Sequence, residues 1–251
     1  MKFKTKFSEY QAVTTDDGYI TLHSGHFDEN CHSTAGALEE TLYNYVEGCS
    51  VLERAQASNI TILEIGLGVG LGILATFEST KDIANKIKFI TTEIDPELAN
   101  WVISQASIGK HISNLEKNKE FISFNLSEYF QVKILLGDAR ETIKNLDLED
   151  IKIDCIFQDA FSPTKNPTLW TKEWFRNLRS LCNKDSVMTT YSASVKIRKA
   201  MLEAGFIVTN MKGFGNKRNA TRAYTLESYR DEKLEKELIR SKTPAFSDKD
   251  I

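Results

Sequence analysis

The acids and glycines best placed to do chemistry in this chain fall immediately after short apolar, β-branched runs. Ile60–Ile65 leads into glycines at positions 66, 68, 70 and 72, and Lys88-Phe-Ile-Thr-Thr92 leads into Glu93. Gln131–Leu136 leads into Gly137-Asp138, and Ile153–Phe157 into Gln158-Asp159. Glycines after a strand permit positive φ and let a ligand approach bare backbone N–H groups. An acid about 20 residues past such a turn takes the ribose hydroxyls of a nucleoside cofactor, through charge-assisted hydrogen bonds. Glu93 stands there. Asp95, in the pair Asp95-Pro96, competes for that role and equally suits a helix N-cap, and Glu93 is preferred. Asp138 can accept from an adenine amino group, cap the helix that follows, or both. Asp159 leaves its strand beside Phe161, in a loop stiffened by Pro163 and Pro167. A carboxylate there can hold a nucleophilic amine, orient its lone pair and stabilise developing positive charge. Phe161 can stack on a flat acceptor such as a base. The competing role for Asp159 is that of a turn former.

Positioning these residues takes strands that alternate with helices. Helical patterns follow each strand: Leu71–Phe77, Pro96–Ser104, Ala139–Leu146, Thr171–Cys182 and Ser194–Glu203, the last closed by Gly205. Further strands are expected at 186–190, 206–210 and 223–226. Such alternation predicts an α/β fold: a seven-stranded, mostly parallel sheet with helices on both faces and ligands at the carboxyl ends of its strands. Ahead of it, residues 1–30 alternate apolar and polar and predict a small N-terminal β-hairpin extension. Residues 34–46 predict a helix with Leu38, Leu42, Tyr45 and Val46 on one face and Ser33 or Thr34 as N-cap. The polar stretch 107–130 is expected to hold one or two helices in an insertion. The highly charged end, from Arg230, is expected as a short exposed helix or a loose tail. The domain organisation expected is therefore 1–30 hairpin extension, 31–228 main domain and 229–251 charged tail, without internal repeats or a Pro/Gly/Ser linker.

Bulk properties narrow the class. With 251 residues, 41% hydrophobic and 27% charged, the chain suits one domain with a substantial core. No apolar run reaches the ~18 residues of a membrane span, and Met1-Lys-Phe-Lys-Thr-Lys lacks the apolar core of a signal peptide. Cys31, Cys49, Cys155 and Cys182 form no C-x-x-C pair, so reduced thiols and a cytoplasmic location are expected, with Cys155 in the core. His23, His26, His32 and Cys31 lack metal-ligand spacing, and no metal is expected. A net charge of −3 argues against general nucleic-acid binding. Yet residues 163–222 carry 12 Lys/Arg against 3 Asp/Glu. Such a stretch either forms a local face for phosphates or lies on solvated helix faces.

The glycine spacing selects among nucleotide ligands. A dinucleotide fingerprint places its third glycine at relative position 6, here Leu71, which disfavours a nicotinamide dehydrogenase. Glu64-x-Gly66-x-Gly68-x-Gly70 instead resembles motif I of S-adenosylmethionine-dependent methyltransferases; a turn serving only close packing is the alternative. The stretch Phe157-Gln-Asp-Ala-Phe-Ser-Pro-Thr-Lys-Asn-Pro-Thr-Leu-Trp-Thr171 resembles the signature of the MnmC N-terminal domain and its stand-alone MnmD relatives. These enzymes complete 5-methylaminomethyl-2-thiouridine at the tRNA wobble position. His32-Ser-Thr-Ala-Gly-Ala-Leu-Glu-Glu-Thr41, the glycine motif, and Gly205-Phe206 followed by Gly213-Phe-Gly-Asn-Lys-Arg218 agree with it in order, over about residues 18–226. Gln158 and Ala160 depart from the Leu and Gly common in the fused enzymes, and 107–130 has no placed counterpart.

The resemblance implies a class I (Rossmann-like) methyltransferase with S-adenosylmethionine as cofactor and tRNA, through its anticodon stem-loop, as partner. A separate enzyme system would supply the aminomethyl-uridine. Only methyl transfer is expected, without the flavin-dependent oxidoreductase half of the fused enzymes. By resemblance, Glu64, Gly66, Gly68 and Gly70 hold the methionine end, Glu93 the ribose, and Asp138 with Ala139 the adenine. Asp159 faces the aminomethyl group as base or as orienting group, and Phe161 with Pro163 shapes the uridine pocket. Lys165, Lys217 and Arg218 meet anticodon phosphates, and His32 lines the cofactor lip. Glu39 closes over the cofactor or lies on a solvated helix face. An aminopropyltransferase would share the fold but act on a polyamine in a more acidic pocket. A non-catalytic module binding S-adenosylmethionine or tRNA would share the pocket without turnover.

Overall fold

The computed structural model describes residues 1–148 and 151–251. The alternating N-terminal stretch forms four antiparallel strands in sequential order, β1 (Lys2–Lys4), β2 (Glu9–Thr14), β3 (Ile20–Ser24) and β4 (Glu29–Asn30), where a single hairpin was expected. Tyr10 and Leu22 are buried on one face of this small sheet, and Phe3 stacks on Trp101 of the main body at 5.3 Å.

Helix α1 (Ala37–Thr41) passes directly into a π-helical turn, Leu42–Glu47, and then α2 (Val51–Ala57). Neither Ser33 nor Thr34 caps α1. Its N-cap position is Gly36, which has no side chain to offer, and Asp17 supplies the acceptor from the small sheet, taking Leu38 N at 2.9 Å and Glu39 N at 3.2 Å. This satisfies two of the donors that a helix start leaves open.

The α/β body follows: β5 (Ile60–Ile65), α3 (Leu71–Thr80), β6 (Ile87–Glu93), α4 (Pro96–Ser104) and α5 (Ala106–Gly109). Next come β7 (Ser113–Lys117), β8 (Phe121–Asn125), β9 (Phe130–Leu136), α6 (Ala139–Thr142), α7 (Lys144–Leu148), β10 (Ile153–Gln158), a 3-10 turn at Pro167–Trp170 and α8 (Lys172–Leu181). The chain closes with β11 (Cys182–Thr190), α9 (Val195–Glu203), β12 (Ile207–Lys212), β13 (Asn219–Tyr224) and α10 (Glu232–Arg240).

The main sheet runs β12-β13-β11-β10-β5-β6-β9-β8-β7. Its five central strands are parallel, and the pairs at both edges are antiparallel. The seven expected strands are all present, and the hairpin β7–β8 adds two. That hairpin corrects the helical expectation for 107–130, of which only the single turn α5 is helical. Phe121-Ile-Ser-Phe-Asn alternates, with Ile122 and Phe124 buried on the core side, and Asn118 turns the hairpin by accepting from Glu120 N and Phe121 N. The period of two over only five residues was masked by the polar residues around it.

The same alternation splits the core. Ile62, Phe89, Val132, Cys155 and Phe157 face α2–α5 and the small sheet, while Leu63, Ile65, Ile90, Ile156 and Met188 face α6–α10. The charged C-terminal stretch forms a helix that packs. Asp231 caps α10, Leu234 and Leu238 are buried, and Ala245 and Phe246 return to cover α8 and α9. Among the described residues no helix is long and apolar enough to cross a membrane.

Candidate active site

The parallel strands end on one edge, and β5 lies between β10 and β6, so the crevice opens where the strand order reverses. Ile65 pairs with Gln158, which brings the residues after them, Gly66 and Asp159, side by side. A side chain on Gly66 would put its Cβ 3.1 Å from the carbonyl oxygen of Asp159. At Gly68, where φ is +54°, a Cβ would lie 3.1 Å from His32 Cε1. These positions need glycine for conformation and for space.

A cavity of about 230 Å³ opens beside this turn. Gly66, Gly68, Glu93, Asp138, Ala139 and His32 all line it, together with Asp159 and Phe161. Glu93 is buried at the end of β6, and burial, opposed by the Asp95 backbone N–H and reinforced by the Asp95 charge, pushes its carboxyl up to about 8. Asp95 is not a lining residue. It caps α4 and accepts from Thr5 and Tyr10 of the N-terminal segment. One oxygen of Asp138 caps α6 through Arg140 N, and the same residue borders the cavity, so the cap leaves it at the cavity wall. His32, with Nδ1 3.2 Å from Thr21 Oγ1, is held neutral by burial, its pKa pulled down to about 4.

Three expected cofactor residues, Glu64, Gly70 and Glu39, lie elsewhere. Glu64 sits beneath the turn, its carboxylate packed where a Cβ on Gly72 would go and accepting from Thr91 Oγ1 at 2.7 Å. Burial raises its pKa well above the usual carboxylate range. Gly70 packs on Val102 and Ile108 behind the cavity. Both shape the loop from behind, because odd and even strand positions face opposite sides and position 64 falls on the α3 side. Glu39 does not line either cavity; its neighbour Glu40 does.

A second cavity of about 340 Å³ lies on the other side of Asp159 and is lined by Glu40, Tyr191 and Lys217. Cys31, His32, Asp159, Ala160 and Phe161 border both. The Tyr45 hydroxyl donates to Asp159 Oδ1. Burial raises the Asp159 carboxyl well above the usual range; the Tyr45 bond and the Lys217 charge oppose that rise, and Glu40 adds to it. The loop beyond β10 is pinned on every side: Gln158 bonds Leu169 O and Trp174, Trp170 Nε1 donates to Phe161 O, and Tyr191 OH donates to Ala160 O. Gln158, a departure from the family pattern, thus has both ends of its amide satisfied in the core. Phe161 already stacks one face on Phe27 at 4.3 Å. Pro163 lines neither cavity.

The basic residues are spoken for in part. Lys217 pairs with Glu40 at 2.9 Å inside the second cavity, and Lys165 pairs with Asp28 at 2.9 Å on the rim. Lys172, Arg176 and Lys196 also have acidic partners, and Arg198 is buried. Arg218 is exposed. Tyr45, Glu40 and Tyr191 were missed from sequence. Tyr191 follows β11 directly, so the strand-end rule could have found it; Tyr45 carries no sequence signal. Among the described residues no cluster of three or more His, Cys, Asp or Glu is arranged to hold a metal.

Comparisons agree with this geometry. Residues 103–226 match the family model described as S-adenosyl-L-methionine-dependent methyltransferase. The chain is 27% identical to an uncharacterised protein of Methanocaldococcus jannaschii over 233 residues, covering 90% of this chain and 62% of that protein. It is 29% identical to the tRNA 5-methylaminomethyl-2-thiouridine biosynthesis bifunctional protein MnmC of Leptospira interrogans, over 86% of this chain and 35% of that one. The chain thus spans about a third of the bifunctional relative. The crystal structure of MnmC2 from Aquifex aeolicus superposes with a TM-score of 0.76 at 27% identity, covering 97% of this chain and 80% of that chain.

Proposed function

We propose that this chain, an S-adenosylmethionine-dependent methyltransferase of the MnmC/MnmD type, methylates the amine of 5-aminomethyl-(2-thio)uridine at the tRNA wobble position in the cytoplasm. The observation that carries the proposal is the half-buried Asp159 carboxyl bordering two cavities, one rimmed by the glycine turn and Glu93, the other open for an acceptor.

The residues of the first cavity suit the cofactor. Gly66 and Gly68 leave bare backbone for the methionine end, Glu93 accepts from the ribose, and Asp138 with Ala139 borders the adenine. When bound, S-adenosylmethionine supplies a methyl group on a good leaving group, so the protein contributes mainly alignment. Asp159 does this from the junction. Its Oδ1 is fixed by Tyr45, so the carboxyl is held in one rotamer with the rest of its acceptor capacity for the amine. An alkylammonium is not nucleophilic, and a desolvated pocket favours its neutral form. The carboxyl of Asp159 holds the amine by a hydrogen bond and orients its lone pair, as base or as orienting group. Phe161, with one face already on Phe27, offers its remaining edge and face to the uracil. Lys165 and Arg218 lie outside the cavities, where anticodon-stem phosphates would pass.

The test is mass spectrometry of wobble nucleosides after incubating tRNA that carries 5-aminomethyl-2-thiouridine with the protein and S-adenosylmethionine. Conversion to the methylaminomethyl nucleoside is expected. No mass change at the wobble nucleoside, with cofactor binding intact, would reduce the chain to a binding module.

A further inference from the structure

The second cavity contains a charge pair, Glu40 and Lys217, that acts on the Asp159 carboxyl and also faces the space open to an acceptor. Glu40 has a side chain only 9% exposed, and its two oxygens are fixed, one by Ser33 N at 2.9 Å and the other by Lys217 Nζ at 2.9 Å. Lys217 Nζ also lies 4.8 Å from the centre of the Tyr191 ring, which leaves it further donor capacity towards the cavity. A buried carboxylate needs a return for its desolvation. Docking of the 213–218 loop does not require the pair. Tyr43 OH already donates to Lys212 O at 3.1 Å, and Phe214 packs beside Tyr43 and Gly36.

We propose that Glu40 and Lys217 read the imide edge of the acceptor base and select uridine over cytidine. This rests on the wobble-uridine function proposed above. In that substrate the aminomethyl group hangs from C5, and C4 is its neighbour in the ring. With the amine held at Asp159, the C4 substituent and N3 extend into the same cavity that Glu40 and Lys217 line. Uridine presents an acceptor, O4, next to a donor, N3–H. The pair presents a donor, the ammonium, next to an acceptor, the carboxylate. Cytidine reverses both groups, so donor meets donor and acceptor meets acceptor, and rejection comes from repulsion as well as from missing hydrogen bonds. The 2-position lies beyond this edge, so sulfur and oxygen there are both accommodated by the pair.

Anticodon stem-loops bearing 5-aminomethyluridine, its N3-methyl derivative or 5-aminomethylcytidine provide the test, with kcat/KM for methyl transfer measured for the unmodified protein and for Glu40→Gln and Lys217→Met. The unmodified protein should favour uridine over cytidine by roughly ten- to a hundredfold, the range of one well-placed pair of base contacts. N3-methylation should cost about tenfold or more. Glu40→Gln, whose amide donates as well as accepts, should bring the uridine-to-cytidine ratio to within a few fold while S-adenosylmethionine affinity stays within about twofold. Equal turnover of uridine and its N3-methyl derivative by the unmodified protein would overturn the assignment without any variant. So would variants that lose activity with an unchanged base ratio, which would make the pair a latch for the loop. Failure of the unmodified protein on every stem-loop and on tRNA would instead count against the methyl-transfer function.

Discussion

Glu93 and Asp159 are both carboxyls whose burial disfavours charge, and each has a different way of recovering it. For Glu93 the pKa is raised to about 8, mainly by burial. Between the ordinary carboxylate value and about 8 the folded chain therefore binds more protons than the unfolded one. Its contribution to stability is full below that window and is lost as pH rises through about 8. Ribose hydroxyls donating to the carboxylate favour the ionised form, so cofactor binding near pH 7 should release about one proton. Calorimetry in buffers of different ionisation enthalpy reads this directly. Release should vanish above pH 9 and in Glu93→Gln, and an absence of proton release at every pH would remove Glu93 from the cofactor site. At Asp159 the Tyr45 hydroxyl and the Lys217 charge partly offset burial, and in the proposed function the amine substrate would supply the remaining partner. Glu93, Asp138 and Asp159 were legible in sequence because each follows a strand, and parallel strands end on one edge. Glu40 was not. The resemblance offered Glu39, with a solvated helix face as the alternative; Glu39 is exposed and lines neither cavity, while its neighbour Glu40 is buried and lines the second.

The π-helical turn at Leu42–Glu47 places Tyr45 under Asp159, and such turns are frequent at functional sites. The reading from sequence put Leu38, Leu42, Tyr45 and Val46 on one face, and all four pack on the same core, with Leu42, Tyr45 and Val46 in the π-helical turn. The turn closes on Gly48, whose N–H reaches Tyr43 O at 3.1 Å. A Cβ at Gly48 would fall 2.0 Å from the carbonyl oxygen of Asn44 and 3.0 Å from Thr189 Cγ2. The first of these is backbone and cannot rotate away. Gly48→Ala should therefore cost about 1–3 kcal/mol and lower the melting temperature by several degrees, at about 2–4 °C per kcal/mol for a chain of this size. Methyl transfer should fall further than cofactor affinity, because Tyr45 moves with the turn. An unchanged melting temperature, with turnover intact, would contradict the dependence of the site on this turn. The hairpin β7–β8 shows the opposite lesson: the period-two signal in Phe121–Asn125 was present, but short and surrounded by polar residues.

For the whole molecule, the N-terminal sheet is part of the site. Phe7, Tyr10, His26 and Phe27 line the first cavity from above, and the strand edge supplies Glu93 and Asp138 from below. The first cavity thus lies between two sheets, an arrangement that reading residues 1–30 as an extension left open. Charge is distributed less simply than the composition of residues 163–222 suggested, since several of those cations are paired locally or buried. In the proposed function phosphates would meet the exposed Arg218 and the rim residue Lys165, the latter in exchange for its pair with Asp28. Reversing both to Glu should weaken tRNA binding and reduce the slope of log affinity against log salt by about one for each phosphate no longer neutralised. An unchanged affinity and slope would move the tRNA to another face.

Cofactor affinity and methyl transfer measured together for Asp159→Ala test the central claim most directly. The carboxyl at the junction of the two cavities is predicted to serve the acceptor amine and not the cofactor. S-adenosylmethionine should bind the variant with nearly unchanged affinity, while transfer to tRNA carrying 5-aminomethyl-2-thiouridine falls by about two to four orders of magnitude. Parallel loss of both, or turnover that survives the substitution, would contradict it.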